Sequence, residues 1–276
     1  MTTRKQKKRP QTAKPRRKPE EKTASASGAR AVVFIAGEAP LVEEYAELCA
    51  GKGYAVFVQW NSPGKRTPGK TYRQTSVIPA GTTLALELTN TDRAAKRQNI
   101  ERMNKALGPT TAILSSSITV TATEQATWIN ARHRLVGISA LPGFSGKPLV
   151  EVAPTVFTPP ETIQVCRTFF HSLGMEVELV QDRIGMVVPR ILCQILNEAA
   201  FALQEDVTSP VDLDTAMKFG VNYPLGPIEW AEKIGFTQVY AVLAALEQDM
   251  NEDRYRVAPL LKQMAQTGEW WKPSSL

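Results

Sequence analysis

Two apolar runs separated by one amphipathic stretch constrain this chain more than any other feature of it. Ala31-Val32-Val33-Phe34-Ile35-Ala36-Gly37 is almost continuously apolar, the pattern of a strand buried on both faces of a parallel sheet. From Leu41 to Lys52, residues Leu41, Tyr45, Leu48 and Cys49 recur at helical spacing and make one apolar face. Gly53-Tyr54-Ala55-Val56-Phe57-Val58-Gln59-Trp60 is a second buried-strand pattern. Parallel strands cannot be joined by a hairpin and need a crossover, so strand, helix and strand at this spacing predict a βαβ unit.

A βαβ unit that holds a dinucleotide carries a G-x-G-x-x-G turn. Its glycines let the backbone approach a pyrophosphate at a helix N-terminus. The corresponding run here is Ala36-Gly37-Glu38-Ala39-Pro40-Leu41, with Gly37 its one glycine. Glu38 brings a carboxylate to a place meant for phosphate, and Pro40 withholds a backbone N–H. Gln59, Trp60 and Asn61 stand where an acid would hold the ribose. The expectation is an α/β scaffold without a bound cofactor.

Further along, Thr83–Leu88 reads as a strand and Asp92–Leu107 as a polar helix. Ala112–Val120 reads as a strand ending in serines, which is also an ordinary helix-capping signal. Arg134–Ser139 follows as a strand, Thr158–Leu173 as a helix stopped at Gly174, and Glu176–Val180 as a strand. Beyond Asp182 the pattern is helical throughout: an amphipathic helix containing Leu192–Leu203, then Asp212–Gly220, then a Pro-x-Gly-Pro turn at 224–227.

The charge is unevenly distributed. Residues 1–30 hold 11 of the 33 Lys and Arg, with Glu20 and Glu21 their only acids. The rest, with 22 basic and 25 acidic residues, is slightly acidic. No Leu, Ile, Phe or Trp precedes Val32, so residues 1–30 are expected to form a disordered basic tail. Residues 4–22 suit electrostatic attachment to nucleic acid or another polyanion, and the lack of interleaved aromatics gives no basis for stacking on bases. The tail has neither the apolar core of a secretory signal nor the apolar face of a transit peptide, and no apolar run is long enough to span a membrane. Cys49, Cys166 and Cys193 lack metal-site spacing, and His133 and His171 are the only histidines; no metal is expected, and a cytoplasmic location is.

Several motifs resemble those of the 3-hydroxyacyl-CoA dehydrogenase family. Gly137-Ile138-Ser139 followed by Leu149-Val150-Glu151-Val152 is similar to that family's Gly-Leu-His-Phe-Phe-Asn-Pro and Leu-Val-Glu-Val, with Ser139 at the histidine position. Glu87 and Lys96 match a Glu-Ala-x-x-Glu…Lys pattern whose second Glu falls at Thr91. Ser116 falls at the substrate-binding serine. Asp182–Arg190 resembles Asp-x-Pro-Gly-Phe-Val-x-Asn-Arg, with Pro189 at the Asn. Asn222–Trp230 resembles Gly-Tyr-Pro-x-Gly-Pro-Phe-Glu-Leu, and Arg254–Leu261 matches the following segment. The chain reaches Trp271-Lys272-Pro273 without the family's Lys-Thr-Gly-x-Gly-Phe-Tyr. The residues from Asn61 to Thr82 leave no room for the family's long CoA-contacting arm.

The resemblance implies a Rossmann-like α/β domain over 31–181 followed by an all-α domain over 182–276 that mediates homodimerisation. It implies catalytic positions at Ser116, Ser139 and Glu151 and cofactor-binding positions at Gly37, Glu87 and Lys96, with NAD as cofactor if the family activity is retained. A serine cannot replace an imidazole as general base unaided, because its hydroxyl does not exchange protons near neutral pH. The leading expectation is a family member that has lost dehydrogenase activity and acts as a binding or scaffold protein. Two alternatives stand beside it: an active acyl-CoA enzyme of fatty acid metabolism with a rearranged site, and an RNA-associated protein anchored by its tail. His133 is expected at the surface rather than as a relocated base, and Glu151 either as a relic or as a hydrogen-bond partner of Ser139.

Overall fold

The computed structural model describes residues 31–62 and 71–268. The expectations for the tail, for Ser62–Lys70 beyond its first residue and for Trp271–Pro273 lie outside the described residues. The first half builds one eight-stranded sheet. Its elements in chain order are β1 (Val32–Gly37), α1 (Leu41–Gly51), β2 (Ala55–Trp60), β3 (Arg73–Gln74), β4 (Thr82–Leu88), α2 (Arg93–Ala106), β5 (Ala112–Ser116), α3 (Ala122–Ala126), β6 (Leu135–Ile138), β7 (Leu149–Pro154), α4 (Pro160–Leu173) and β8 (Glu176–Leu179). Five helices follow: α5 (Val188–Gln204), α6 (Pro210–Gly220), α7 (Pro227–Ile234), α8 (Phe236–Met250) and α9 (Pro259–Thr267). The architecture is the expected one, a Rossmann-like α/β part and a helical C-terminal part.

The strand order is β3-β2-β1-β4-β5-β6-β7-β8, parallel except where β7 runs against β6. The connection leaves β1 towards β2 and returns to β4 on the other side. The carboxyl ends of β1 and β4 therefore flank a topological switch point, the place where open α/β sheets form their crevice. Gly37 is needed there for packing: a Cβ at this position would lie 2.5 Å from the Leu88 carbonyl oxygen of β4.

One core lies under α1 and α4, with Ile35, Tyr45, Leu86, Leu114, Val136 and Phe170 fully buried. A second core joins the helices to the sheet, since Ile118 and Leu141 pack with Trp230, Ile234, Val239 and Leu243. Phe144, in the β6–β7 loop, stacks on Trp230 with ring centroids 5.1 Å apart. The helical part thus sits on the loops at the carboxyl edge of the sheet.

Local chemistry explains most boundaries. Asp92 caps α2 by accepting from the Ala95 amide at 2.9 Å, and Ser209 caps α6 from the Asp212 amide at 3.2 Å. Pro189 lies in the first turn of α5, where its missing N–H would be unpaired in any helix. Arg134, just before β6, is 2% exposed and closes the end of α2. Its guanidinium donates to the carbonyls of Asn104 at 2.6 Å and Gly108 at 2.7 Å. Burial pulls its pKa down, and the negative end of the helix compensates the buried cation.

Three local readings are corrected. The serine-rich strand end does not cap a helix. Ser116 is still in β5, and α3 is capped by Thr121, because the chain first turns away from the sheet through 117–120. The segment between β2 and β4 carries a further edge strand, β3, paired with Phe57 and Val58 of β2. Two residues are too short a run to show strand periodicity. Finally, the carboxylate of Glu151 does not hydrogen-bond the Ser139 side chain; only their backbones meet, the Ser139 amide donating to the Glu151 carbonyl at 2.9 Å.

Candidate functional site

Side chains of the protein itself meet across the crevice at the switch point. Glu38, in the β1–α1 turn, points its carboxylate at the loop leaving β4. There it accepts the Asn90 amide at 2.8 Å, the Thr91 amide at 3.2 Å and the Thr91 hydroxyl at 2.6 Å. Gln238 at the start of α8 donates its Nε2 to the same carboxylate at 2.6 Å. The Oε1 of Gln238 accepts from Asn90 Nδ2 at 2.9 Å, which closes a ring of three residues.

Asn90 is the hub of this region and is 5% exposed. Besides Glu38 and Gln238, its Nδ2 donates to the Ala140 carbonyl at 3.0 Å and its Oδ1 accepts from Ser116 Oγ at 2.6 Å. The Thr119 hydroxyl donates to its carbonyl at 2.9 Å. A buried carboxamide with this many partners ties together the loops that follow β1, β4, β5 and β6.

The anticipated site residues lie on or beside neighbouring strands, but their side chains serve different partners. Ser116 is fully buried in the Asn90 hub. Glu87 and Lys96 form an ion pair beneath it, at 0% and 1% exposure. Lys96 also donates to the Ser116 carbonyl at 2.8 Å, and Asn99 donates to Glu87 at 3.2 Å. The Thr89 hydroxyl makes a further short contact to Glu87. Glu151 lies elsewhere, its two oxygens accepting the amides of Val187 at 2.9 Å and Val188 at 2.7 Å, where it caps α5. A carboxylate at a helix N-terminus is held by N–H groups and by the helix dipole together. Ser139 is half-buried at the end of β6.

His133 stands just before β6 and Ser139 just after it, so the strand separates them by roughly 15–20 Å at about 3.3 Å per residue. His133 is exposed, and its ring meets the Pro109 carbonyl at 3.3 Å. His171 is also exposed, beside Glu176 at 3.5 Å. Cys49, Cys166 and Cys193 are buried, and burial pushes each thiol up to about 12, so none is a thiolate at neutral pH. Among the described residues no cluster of His, Cys, Asp or Glu could hold a metal ion, and no helix is long and apolar enough to cross a membrane.

The crevice does not fit the pyrophosphate of a dinucleotide. A phosphate entering it would have to take the donors that Glu38 holds, beside Glu43 and Glu44 in the first turn of α1. Glu44 in turn fastens the β6–β7 loop over α1, accepting the Gly143 amide at 2.9 Å and the Ser145 hydroxyl at 2.9 Å. A like-charge contact at 4 Å costs about 4 kcal/mol at an effective dielectric of 20. A helix N-terminus returns only about 0.3–1 kcal/mol for an anion. The repulsion wins.

Fold and motifs together define a two-domain protein of the Rossmann type with a helical C-terminal part. The family profile described as 3-hydroxyacyl-CoA dehydrogenase, C-terminal domain, matches residues 185–275. A probable 3-hydroxybutyryl-CoA dehydrogenase of Bacillus subtilis is 28% identical over 191 residues, 69% of this chain and 67% of that protein. The 3-hydroxybutyryl-CoA dehydrogenase of Bradyrhizobium diazoefficiens is 28% identical over 185 residues, 67% of this chain and 63% of that protein. The matched stretch thus spans about two thirds of these relatives' length. Among solved structures, (S)-3-hydroxybutyryl-CoA dehydrogenase from Ralstonia eutropha shares the fold with a TM-score of 0.72 at 23% identity, over 87% of this chain and 95% of that one. Residues 185–275 match the C-terminal domain of the 3-hydroxyacyl-CoA dehydrogenase family, and the chain as a whole is similar to these dehydrogenases.

The hub residues Glu38, Asn90 and Gln238 are the part of the site that sequence reasoning missed. Glu38 was legible as an obstacle to phosphate. Nothing in the local sequence marked Asn90 or Gln238 as its partners.

Proposed function

We propose that this family member has lost NAD-dependent dehydrogenation and acts as a binding or scaffold protein. The observation that carries the reading is the commitment of both halves of the old chemistry to structure. Glu38 takes the donors of the crevice, and Glu151 caps α5 instead of orienting an imidazole. Hydride removal from a 3-hydroxyacyl group needs a base for the hydroxyl proton. No histidine stands near Ser139 to supply it. The test is acetoacetyl-CoA-dependent oxidation of NADH by the purified full chain. No turnover above background is expected, and measurable turnover overturns the proposal.

An active site rearranged around Ser116, Ser139 and Glu151 is the less favoured reading. It needs the three to face one reacting carbon, whereas the Ser116 hydroxyl serves Asn90 and the Glu151 carboxylate serves α5. NAD would be the cofactor only under that reading. Attachment to RNA or another polyanion through residues 4–22 is a separate proposal about the tail. Loss of salt-sensitive RNA binding on deletion of residues 1–30 would support it, and binding that survives the deletion would remove it.

The proposal includes cytoplasmic residence, a domain division at 181/182 and a homodimer formed through the helical part. Val207, Val211 and Phe219 are 70–84% exposed around α6. Beside them an apolar cavity of about 510 Å³ is lined by Ile195, Ala199, Ala202, Leu213 and Met217. Contiguous apolar surface of this kind supports a protein interface, and a second copy is the partner proposed. Sedimentation of the full chain should give a dimer, with Val207→Asp shifting it to monomer.

A further inference from the structure

We propose that Glu38 is a resident ligand: its carboxylate occupies an anion seat in the crevice and latches the helical part onto the sheet. The inference goes beyond the loss of dehydrogenation and stands apart from it. The seat is a set of donors converging on one carboxylate, namely the consecutive amides of Asn90 and Thr91, the Thr91 hydroxyl and Gln238 Nε2, at 2.6–3.2 Å. Consecutive backbone N–H groups turned to one side form a concavity that suits an oxyanion. Here the oxyanion is supplied by the chain.

The geometry gives the carboxylate two roles. It satisfies the amides of Asn90 and Thr91 immediately before Asp92, the cap of α2. It also holds Gln238, which is 5% exposed and sits at the base of α8, 200 residues away in sequence. Gln238 donates one N–H to Glu38 and accepts from Asn90, so both ends of its carboxamide are engaged within the protein. Thr91 is exposed, so the seat opens towards solvent once the carboxylate is gone. The ligand class it would then take is a small oxyanion, a carboxylate or a phosphate.

The prediction is chemical rescue. Full-length wild type, Glu38→Ala and Glu38→Gln are melted in sodium formate, inorganic phosphate and sodium chloride at matched ionic strength. Glu38→Ala should melt below wild type. Formate should raise its Tm in a saturable manner by about 2–4 °C, as expected for a ligand that binds only the folded state. Phosphate should act in the same direction, while wild type should respond to formate no more than to chloride. Glu38→Gln keeps the side-chain volume, so it should melt below wild type yet gain nothing from formate. If formate and chloride act alike on Glu38→Ala, the seat is refuted. Should Glu38→Ala fail to fold, amide exchange in Glu38→Gln decides instead. Faster exchange at Asn90 supports the latch, and unchanged exchange overturns it. NADH turnover by wild type would overturn the loss of dehydrogenation and leave the formate result to be judged separately.

Discussion

Two regions of the molecule place carboxylates on backbone amides, with opposite histories in the sequence. In the turn before α7, where the family signature is kept, Asp214 accepts the amides of Ile228 at 2.8 Å and Glu229 at 3.1 Å. Glu229 accepts the Gly226 amide at 2.9 Å and pairs with Lys218 at 2.6 Å. At the carboxyl edge of the sheet, Glu38, which stands in the altered glycine turn, and Glu151, which keeps its family position opposite Ser139, make the same kind of bond. The turn uses acids whose motif is structural. The crevice uses acids at positions where the family motif implies chemistry. The turn and the crevice therefore share one device, a carboxylate holding backbone N–H groups.

If both regions are structural, substitutions in each should cost stability. The largest cost is expected at the buried pair. Lys96→Ala strands the Glu87 carboxylate at 0% exposure and should destabilise the fold by about 3–5 kcal/mol in chemical denaturation. A loss below about 1 kcal/mol would show that the pair is not a structural element and would break the comparison. Next comes Gly226→Ala, whose new Cβ would lie 2.1 Å from Asp214 Cγ. Asp214 must move and release its two amides, at about 2–4 kcal/mol. An unchanged denaturation midpoint would mean that the turn relaxes freely.

A smaller effect is expected from Glu151→Gln, which keeps the shape and removes the charge from the α5 N-terminus. The loss should be about 1–2 kcal/mol. Ser139→His added to the wild-type chain should still give no dehydrogenase turnover, since Glu151 is held by Val187 and Val188. Turnover in that variant would sharpen the comparison by showing that the crevice still accepts cofactor.

The smallest effect concerns pH. The hydrogen bond from Lys218 lowers the pKa of Glu229, with the Gly226 amide acting in the same direction. A carboxyl depressed in the folded state contributes stability that is full above its unfolded pKa and is lost as pH falls through the folded one. The Tm difference between wild type and Glu229→Gln should therefore be constant from neutral pH down to the ordinary carboxylate range and vanish in stronger acid. A difference independent of pH would assign the effect to shape alone.

The long elements could be read from the sequence because their apolar patterns are local. β1, α1, β2, β4, α2, α4 and α5 each carry an apolar run or period that survives without tertiary help. β3 could not be read, since a two-residue edge strand depends on β2 being beside it. The Thr121 cap was hidden by the serines before it, which satisfy the same propensity in the wrong place. Arg134 read as the first residue of a strand, and only burial against the end of α2 gives its side chain a role.

The sequence by itself determined the opening βαβ unit, the helical second half and the resemblance to the dehydrogenase family. It also determined that Ser139 and Glu38 stand where a base and a glycine turn would be. Those are properties of residue type and spacing, which need no partner. The tertiary structure alone decided what these acids do. Glu38 meets Asn90 across 52 positions and Gln238 across 200, while Glu151 meets Val187 across 36. Such contacts depend on how the helices dock onto the edge of the sheet, and a hydrogen bond is too short-ranged and directional to be read from spacing along the chain.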